Sequence, residues 1–171
     1  SFYHSKLSSL FSENEINLML KYLSFKRLNL SSVEYIDSMN ILLSESDLLY
    51  YNFALKRLLK NEPFQYIIGD VEFYGLELNC DSRALIPRPE TEELVDWILS
   101  SLDKNTTREI ADLCAGSGCI ALALKSKIPN AEIIAAELSE EAIALIEENC
   151  LKTDLRVIPI KMDVLNDEEY S

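Results

Sequence analysis

Two glycines and three acids carry the chemical meaning in this sequence: Gly116 and Gly118, within Cys114-Ala-Gly-Ser-Gly118, and Asp112, Glu137 and Asp163 around them. The glycine stretch follows a β-type run and opens a helix-type run. Glycine there lets the backbone turn tightly and approach a ligand with no Cβ in the way, and a helix start offers unpaired N–H groups to a polar ligand. Nucleotide-type cofactors dock at such places. Glu137 stands 21 residues after Gly116 at the end of the next β-type run, where a carboxylate can accept hydrogen bonds from both hydroxyls of a ribose. Asp163 ends a third run and Asp112 precedes the loop. Ligands of open parallel sheets bind outside the carboxyl ends of the strands, so Gly116, Ser117, Gly118, Glu137 and Asp163 are expected to converge on one crevice. Singly, each has an ordinary explanation as a tight turn or a solvated strand end; as a set they point to a cofactor site. Gly116-x-Gly118-x-x-Ala121 also satisfies the loose dinucleotide fingerprint, so a nicotinamide or flavin enzyme stays open at this level.

These residues need elements to position them, and the sequence from Arg83 alternates accordingly. The pattern predicts a helix carrying Leu94, Val95, Ile98 and Leu99, strands at 109–113, 132–136 and 156–161, and helices through 120–124 and 139–149. Three strands joined by two crossover helices make a parallel α/β sheet. Open doubly wound sheets usually have about five strands or more. The chain is therefore expected to be part of a longer domain, and an exposed sheet edge is expected to allow a dimer.

Upstream the texture differs. Every glycine and proline lies at or beyond position 63, so residues 1–62 lack the strongest breakers of regular structure and are predicted to form a helical bundle. Ser12-x-x-Glu15, Ser31-x-x-Glu34 and Ser44-x-x-Asp47 are capping-box patterns, and a helix is expected to begin at each. Ile16, Met19, Leu20 and Leu23, then Leu48, Tyr51, Leu55, Leu58 and Leu59, recur at helical spacing. The run from Tyr66 to Asn79, interrupted by Gly69 and Gly75, reads as a short hairpin. The expected division is thus a helical unit at 1–62, a hairpin linker at 63–82 and the α/β part at 83–171.

Composition narrows the function classes. The 171 residues are 48% hydrophobic and 26% charged, the balance of a globular chain. The net charge of −13 is uneven: residues 1–62 carry seven basic and seven acidic side chains, the remainder nine and twenty-two. An acidic second part repels nucleic-acid backbones, so no direct nucleic-acid partner is expected. The longest apolar stretch, Cys119 to Leu124, is far short of the roughly 18 residues a membrane span needs. Four cysteines and one histidine, His4, show no metal-ligand spacing. No metal is expected, and free thiols point to a reduced, cytoplasmic setting.

Neighbouring motifs choose among cofactors. Pro63-Phe-Gln-Tyr-Ile-Ile-Gly69, Phe73-Tyr-Gly-Leu76, Leu85-Ile-Pro-Arg-Pro-Glu-Thr-Glu92 and Asp112-Leu-Cys-Ala-Gly-Ser-Gly-Cys-Ile-Ala-Leu-Ala123 together resemble the HemK/PrmC family of protein-glutamine N-methyltransferases. The Ile-Pro-Arg-Pro-Glu-Thr-Glu element is the specific one. The resemblance implies a Rossmann-like class I S-adenosylmethionine-dependent domain, which would methylate the glutamine amide in the Gly-Gly-Gln loop of class I peptide chain release factors, with the helical unit helping to bind that partner. It implies Gly116 and Gly118 beside the amino acid part of the cofactor, Glu137 on the ribose and Asp163 facing the adenine. Asp112, Ser117, Arg88, Pro89, Glu90 and Thr91 would line the same pocket. Cys114 stands where the family loop has its first glycine, and Glu137 where aspartate is commoner.

The family orients its acceptor with an Asn-Pro-Pro-Tyr motif. No Asn-Pro occurs in these 171 residues, so no catalytic residue is assigned and the chain alone is expected to be inactive. Two other readings remain at this level. One is a non-catalytic interaction module, which would use the helical unit and the acidic face. The other is a nicotinamide-dependent oxidoreductase, which leaves the Pro-Arg-Pro-Glu-Thr element unexplained.

Overall fold

Serines start three helices of the first part of the chain by closing on their own first turns. In the computed structural model, which describes residues 2–37, 41–102 and 109–166, Ser12 caps helix α2 (Glu13–Leu28), and its N–H donates to Glu15 at 2.7 Å while its hydroxyl accepts the Glu15 N–H. Ser44 caps α4 (Glu45–Leu58) in the same way. Asp is shorter than Glu, yet Asp47 still reaches the Ser44 N–H at 3.0 Å and is held there by Arg27 Nε at 2.6 Å. Ser31 and Glu34 form the third such pair ahead of α3 (Ser32–Asp37). With α1 (Phe2–Leu7) and α5 (Phe64–Ile68) these helices make one unit, Ser1–Ile68. Its core is Leu7, Ile16, Leu23 and Leu58, with Tyr3, Ala54, Leu55 and Ile67 around them. Only part of the α4 stripe is used: Leu55 and Leu58 are buried, whereas Leu48 and Leu59 are exposed.

Tyr66 to Ile68 are helical in α5, where the sequence reading placed them in the hairpin. Pro63 explains the difference. Its carbonyl accepts the Tyr66 and Ile67 N–H groups, and a proline's fixed φ is preset for a first helical turn. Gly69, at φ +85, then ends the turn and opens the second unit, Gly69–Ser171.

That unit begins with the hairpin of β1 (Asp70–Phe73) and β2 (Leu76–Asn79). Tyr74 and Gly75, both at positive φ, make the two-residue turn whose twist suits a hairpin. α6 (Pro89–Ser101) starts on Pro89. Then follow β3 (Glu109–Leu113), α7 (Cys119–Lys127), β4 (Glu132–Glu137), α8 (Glu140–Thr153) and β5 (Ile158–Lys161). The three strands are parallel in the order β3-β4-β5, the Rossmann-like arrangement. The last strand begins at Ile158, two residues later than its sequence pattern suggests.

Register sets up the site. Asp112 pairs with Ala135, and Glu137 lies two residues further along β4. Strand side chains alternate, so Asp112, Ala135 and Glu137 point to one face, with Ile110 and Ile133. Both crossovers step the same way across the sheet, and right-handed crossovers place α7 and α8 on a single face. The core there contains Ala121, Leu122, Leu124, Ile133, Ala135 and Ile146, with Phe73 and Leu78 of the hairpin. Among the described residues no helix is long and apolar enough to cross a membrane.

Candidate functional site

The loop from β3 to α7 is held by the strand beside it. Ala115 N–H donates to the Ala136 carbonyl at 3.0 Å, which extends the ladder two residues past β3, and Gly116 N–H donates to Glu137 Oε2 at 2.8 Å. Gly118 N–H turns back to the Ala115 carbonyl at 2.8 Å, and the Gly118 carbonyl accepts Leu122 N–H as the first bond of α7. This path needs left-handed backbone at Cys114, Gly116 and Gly118 (φ 60, 56 and 75). Glycine enters that region without strain; Cys114 does so at a steric cost.

The two glycines differ in surroundings. A Cβ on Gly118 would lie 3.2 Å from two carbons of Ile146, so α8 packs directly on the loop there. A Cβ on Gly116 would meet only Ala84, at 3.9 Å, so one side of that residue is open to a ligand. Ala84 also shows that the segment before α6 runs beside the loop.

Glu137 is the hub. Its Oε2 accepts Gly116 N–H, and its Oε1 accepts Leu138 N–H at 2.8 Å and Ser139 N–H at 3.1 Å. A carboxylate offers about four lone-pair sites, so one remains for a ligand, on Oε2. The Glu137 carbonyl accepts Met162 N–H at 3.1 Å, which brings the chain leaving β5 to the same end of the sheet. Asp163 is the next residue, half-buried, and its Oδ1 accepts Leu165 N–H at 3.0 Å.

Asp112 lies deeper. Its Oδ2 accepts Ala121 N–H at 3.1 Å from the first turn of α7, so β3 and α7 are tied across the loop. Burial pushes its carboxyl up to about 6; the Ala121 N–H opposes that rise, and the nearby Glu137 charge adds to it. Ser117 is buried, with its hydroxyl beside the Cys119 thiol and no nitrogen or oxygen partner. Burial pushes the Cys119 and Cys80 thiols up to about 11, whereas Cys114 is exposed.

Of the residues singled out in the sequence, the structure joins Gly116 to Glu137 directly and sets Asp112, Ser117, Gly118 and Asp163 around that pair. Arg88, Pro89 and Glu90 are exposed at the start of α6, and Thr91 N–H closes its first turn on the Arg88 carbonyl. No hydrogen bond joins these four to the glycine loop among the described residues. Asn149, fully buried on α8, is a further polar residue at the loop, beyond those the motifs indicate. Its only sequence signal is a polar residue on the apolar face formed by Ala142, Leu145 and Ile146. Among the described residues no group of three metal-binding side chains occurs.

Comparison with known proteins gives matches to two parts of the chain. Residues 7–69 match the PrmC N-terminal domain model, and residues 94–171 match the model described as a methyltransferase small domain. A release factor glutamine methyltransferase of Flavobacterium psychrophilum is 33% identical over 96% of this chain and 59% of its own length. That of Streptococcus pneumoniae is 36% identical over 96% of this chain and 63% of its own. The chain thus spans about three fifths of the length of the curated relatives it matches. Among solved structures, the M. jannaschii tRNA m1G37 methyltransferase aligns with a TM-score of 0.45 at 26% identity, over 56% of this chain and 30% of that one.

Proposed function

The chain belongs to the HemK/PrmC family, and from that premise we propose that it supplies the methyl-donor half of an enzyme that methylates a glutamine side-chain amide. The acceptor is the glutamine of the Gly-Gly-Gln loop in class I peptide chain release factors. The observation that carries this reading is the pairing of a left-handed glycine loop with the Glu137 carboxylate, in a chain similar to release factor glutamine methyltransferases over nearly its whole length.

The residues present fit S-adenosylmethionine. Gly116 has an open side, Glu137 retains an unused lone pair beside it, and the buried Ser117 hydroxyl lacks a nitrogen or oxygen partner. In this reading Gly116 and Gly118 border the amino acid part, Glu137 holds the ribose and Asp163 faces the adenine. Asp112 keeps the loop in register with α7. Arg88, Pro89, Glu90 and Thr91 form the rim shared with the substrate. When bound, the cofactor supplies a methyl group already activated by a sulfonium centre, so the protein's task is chiefly proximity and alignment.

The acceptor is the harder partner. An amide nitrogen is a poor nucleophile because its lone pair is delocalised, and fixed acceptors must orient its N–H bonds. The Asn-Pro-Pro-Tyr motif that does this in the family is not present in these 171 residues. The reading therefore expects donor binding from this chain and no methyl transfer. Calorimetric titration with S-adenosylhomocysteine, beside NADH, tests it. Saturable binding of the first alone supports the reading, and binding of NADH alone replaces it with a dinucleotide site.

A further inference from the structure

Asn149 is 0% exposed, and its side chain works at both ends. Oδ1 accepts Asn79 N–H at 2.6 Å, while Nδ2 donates to the Ser117 carbonyl at 3.0 Å and to the Asn79 carbonyl at 3.4 Å. One carboxamide on α8 therefore bridges the end of β2 and the middle of the glycine loop. Ile146, one turn earlier on the same helix, is the residue packed on Gly118.

The bond to Ser117 falls on a peptide plane that precedes a glycine. The Ser117 carbonyl and the Gly118 N–H belong to one peptide plane. Asn149 holds the carbonyl side, and the Ala115 carbonyl holds the N–H side at 2.8 Å. Glycine takes either sign of φ at little cost, so the plane before Gly118, like the one before Gly116, turns easily unless both its sides are tied. Two ties from different elements remove that freedom.

We propose that Asn149 is a positioning residue of the donor site, one that fixes the Ser117–Gly118 peptide and with it the loop face offered to the cofactor. The proposal rests on the reading of this loop as the cofactor site. The Asn149→Asp change keeps the shape and removes both Nδ2 donors; Asn149→Ser removes them with a smaller side chain that admits water. Leu145→Ala is the control, since Leu145 is equally buried on α8 and is not bonded to the loop.

Two measurements on the full 171-residue chain decide the matter. One is amide exchange of Gly116 and Gly118 relative to Ile133 and Ala135 in β4; the other is the Kd for S-adenosylhomocysteine, at a temperature where each variant is folded. Both Asn149 variants are expected to speed Gly118 exchange, relative to β4, and to weaken binding, each roughly tenfold, the worth of about one net hydrogen bond. Leu145→Ala is expected to lower Tm while leaving both readouts within about twofold, because cavity effects act on global stability. The proposal is overturned if the Asn149 variants keep wild-type exchange or wild-type affinity, or if Leu145→Ala shifts both as strongly. Should the unaltered chain fail to bind S-adenosylhomocysteine, the cofactor reading falls, and the exchange ratio alone decides whether Asn149 holds the loop.

Discussion

Gly116 and Glu137 meet through a 2.8 Å hydrogen bond, amide to carboxylate, across 21 residues of sequence. The carboxylate that terminates β4 therefore shapes the loop that follows β3, in addition to presenting itself to a ligand. Its other oxygen takes the N–H groups of Leu138 and Ser139, so the turn into α8 is fixed by the same side chain. Charge and geometry at this position are inseparable.

Glu137→Gln changes both. A carboxamide has a single acceptor oxygen, so its NH2 group must face either Gly116 N–H or the Leu138 and Ser139 pair, donor against donor. Hydrogen bonds to charged groups contribute about 1.5–3 kcal/mol. We expect S-adenosylhomocysteine affinity to fall by roughly ten- to a hundredfold, read by calorimetry, with α4 and its neighbours unchanged by amide exchange. Wild-type affinity in this variant would remove Glu137 from the site.

Alanine at the two loop glycines should act unequally. Left-handed backbone costs an L-residue about 1–2 kcal/mol, and both positions incur that. At Gly118 the new Cβ also meets Ile146 at 3.2 Å, and overpacking adds typically about 1–3 kcal/mol. Gly118→Ala should therefore unfold at lower denaturant concentration than Gly116→Ala. Equal midpoints would mean that α8 yields freely at this contact.

Asp112 predicts a pH dependence of unusual sign. Its carboxyl, raised to about 6 by burial, binds a proton in the folded state at pH values where the unfolded aspartate, near 3.9, has lost it. Between about pH 4 and 6 the folded state thus holds more protons, and this group's contribution to stability falls as pH rises. Glu34 and Glu148, held low by their partners, slope the other way, so the comparison must be with Asp112→Asn, which keeps an acceptor for Ala121 N–H. The stability of wild type minus that of the variant should decrease from pH 4 to pH 7 in thermal or denaturant unfolding. A flat difference would show that Asp112 ionises as it does in water.

Thiol labelling should follow burial. Cys80 and Cys119, with thiols raised to about 11, hold less thiolate near pH 8 than an ordinary cysteine, whereas Cys114 is exposed beside the loop. Iodoacetamide followed by peptide mass spectrometry should find Cys114 modified before either. Early modification of Cys119 would mean that the start of α7 opens readily.

Much of this was legible in the sequence because it depends on local chemistry. The three serine caps, the α/β alternation from Arg83 and the glycine loop before α7 all follow from side chains acting within a few residues of themselves. At Tyr66 to Ile68 the local signals conflict. Their β-forming types suggest a strand, whereas Pro63, three residues upstream of Tyr66, starts a helical turn. The half-used stripe on α4 lay beyond local reasoning, since spacing shows which residues share a face and not how much of that face is covered.

The sequence by itself determined the α/β alternation of a parallel sheet, the resemblance carried by the motifs, and the residue types at the carboxyl ends of the strands, because periodicity, glycine and motif spacing are properties of the chain read in one dimension. Only the tertiary structure decided that Glu137 spends three of its lone pairs on backbone N–H groups, that Ile146 seals Gly118, and that Asn149 joins Asn79 to Ser117. Apart from the bonds of Glu137 to Leu138 and Ser139, those relationships link residues 21 to 70 positions apart. A hydrogen bond or a packing contact at that separation exists only once the sheet register and the crossover helices have placed both partners within about 3 Å.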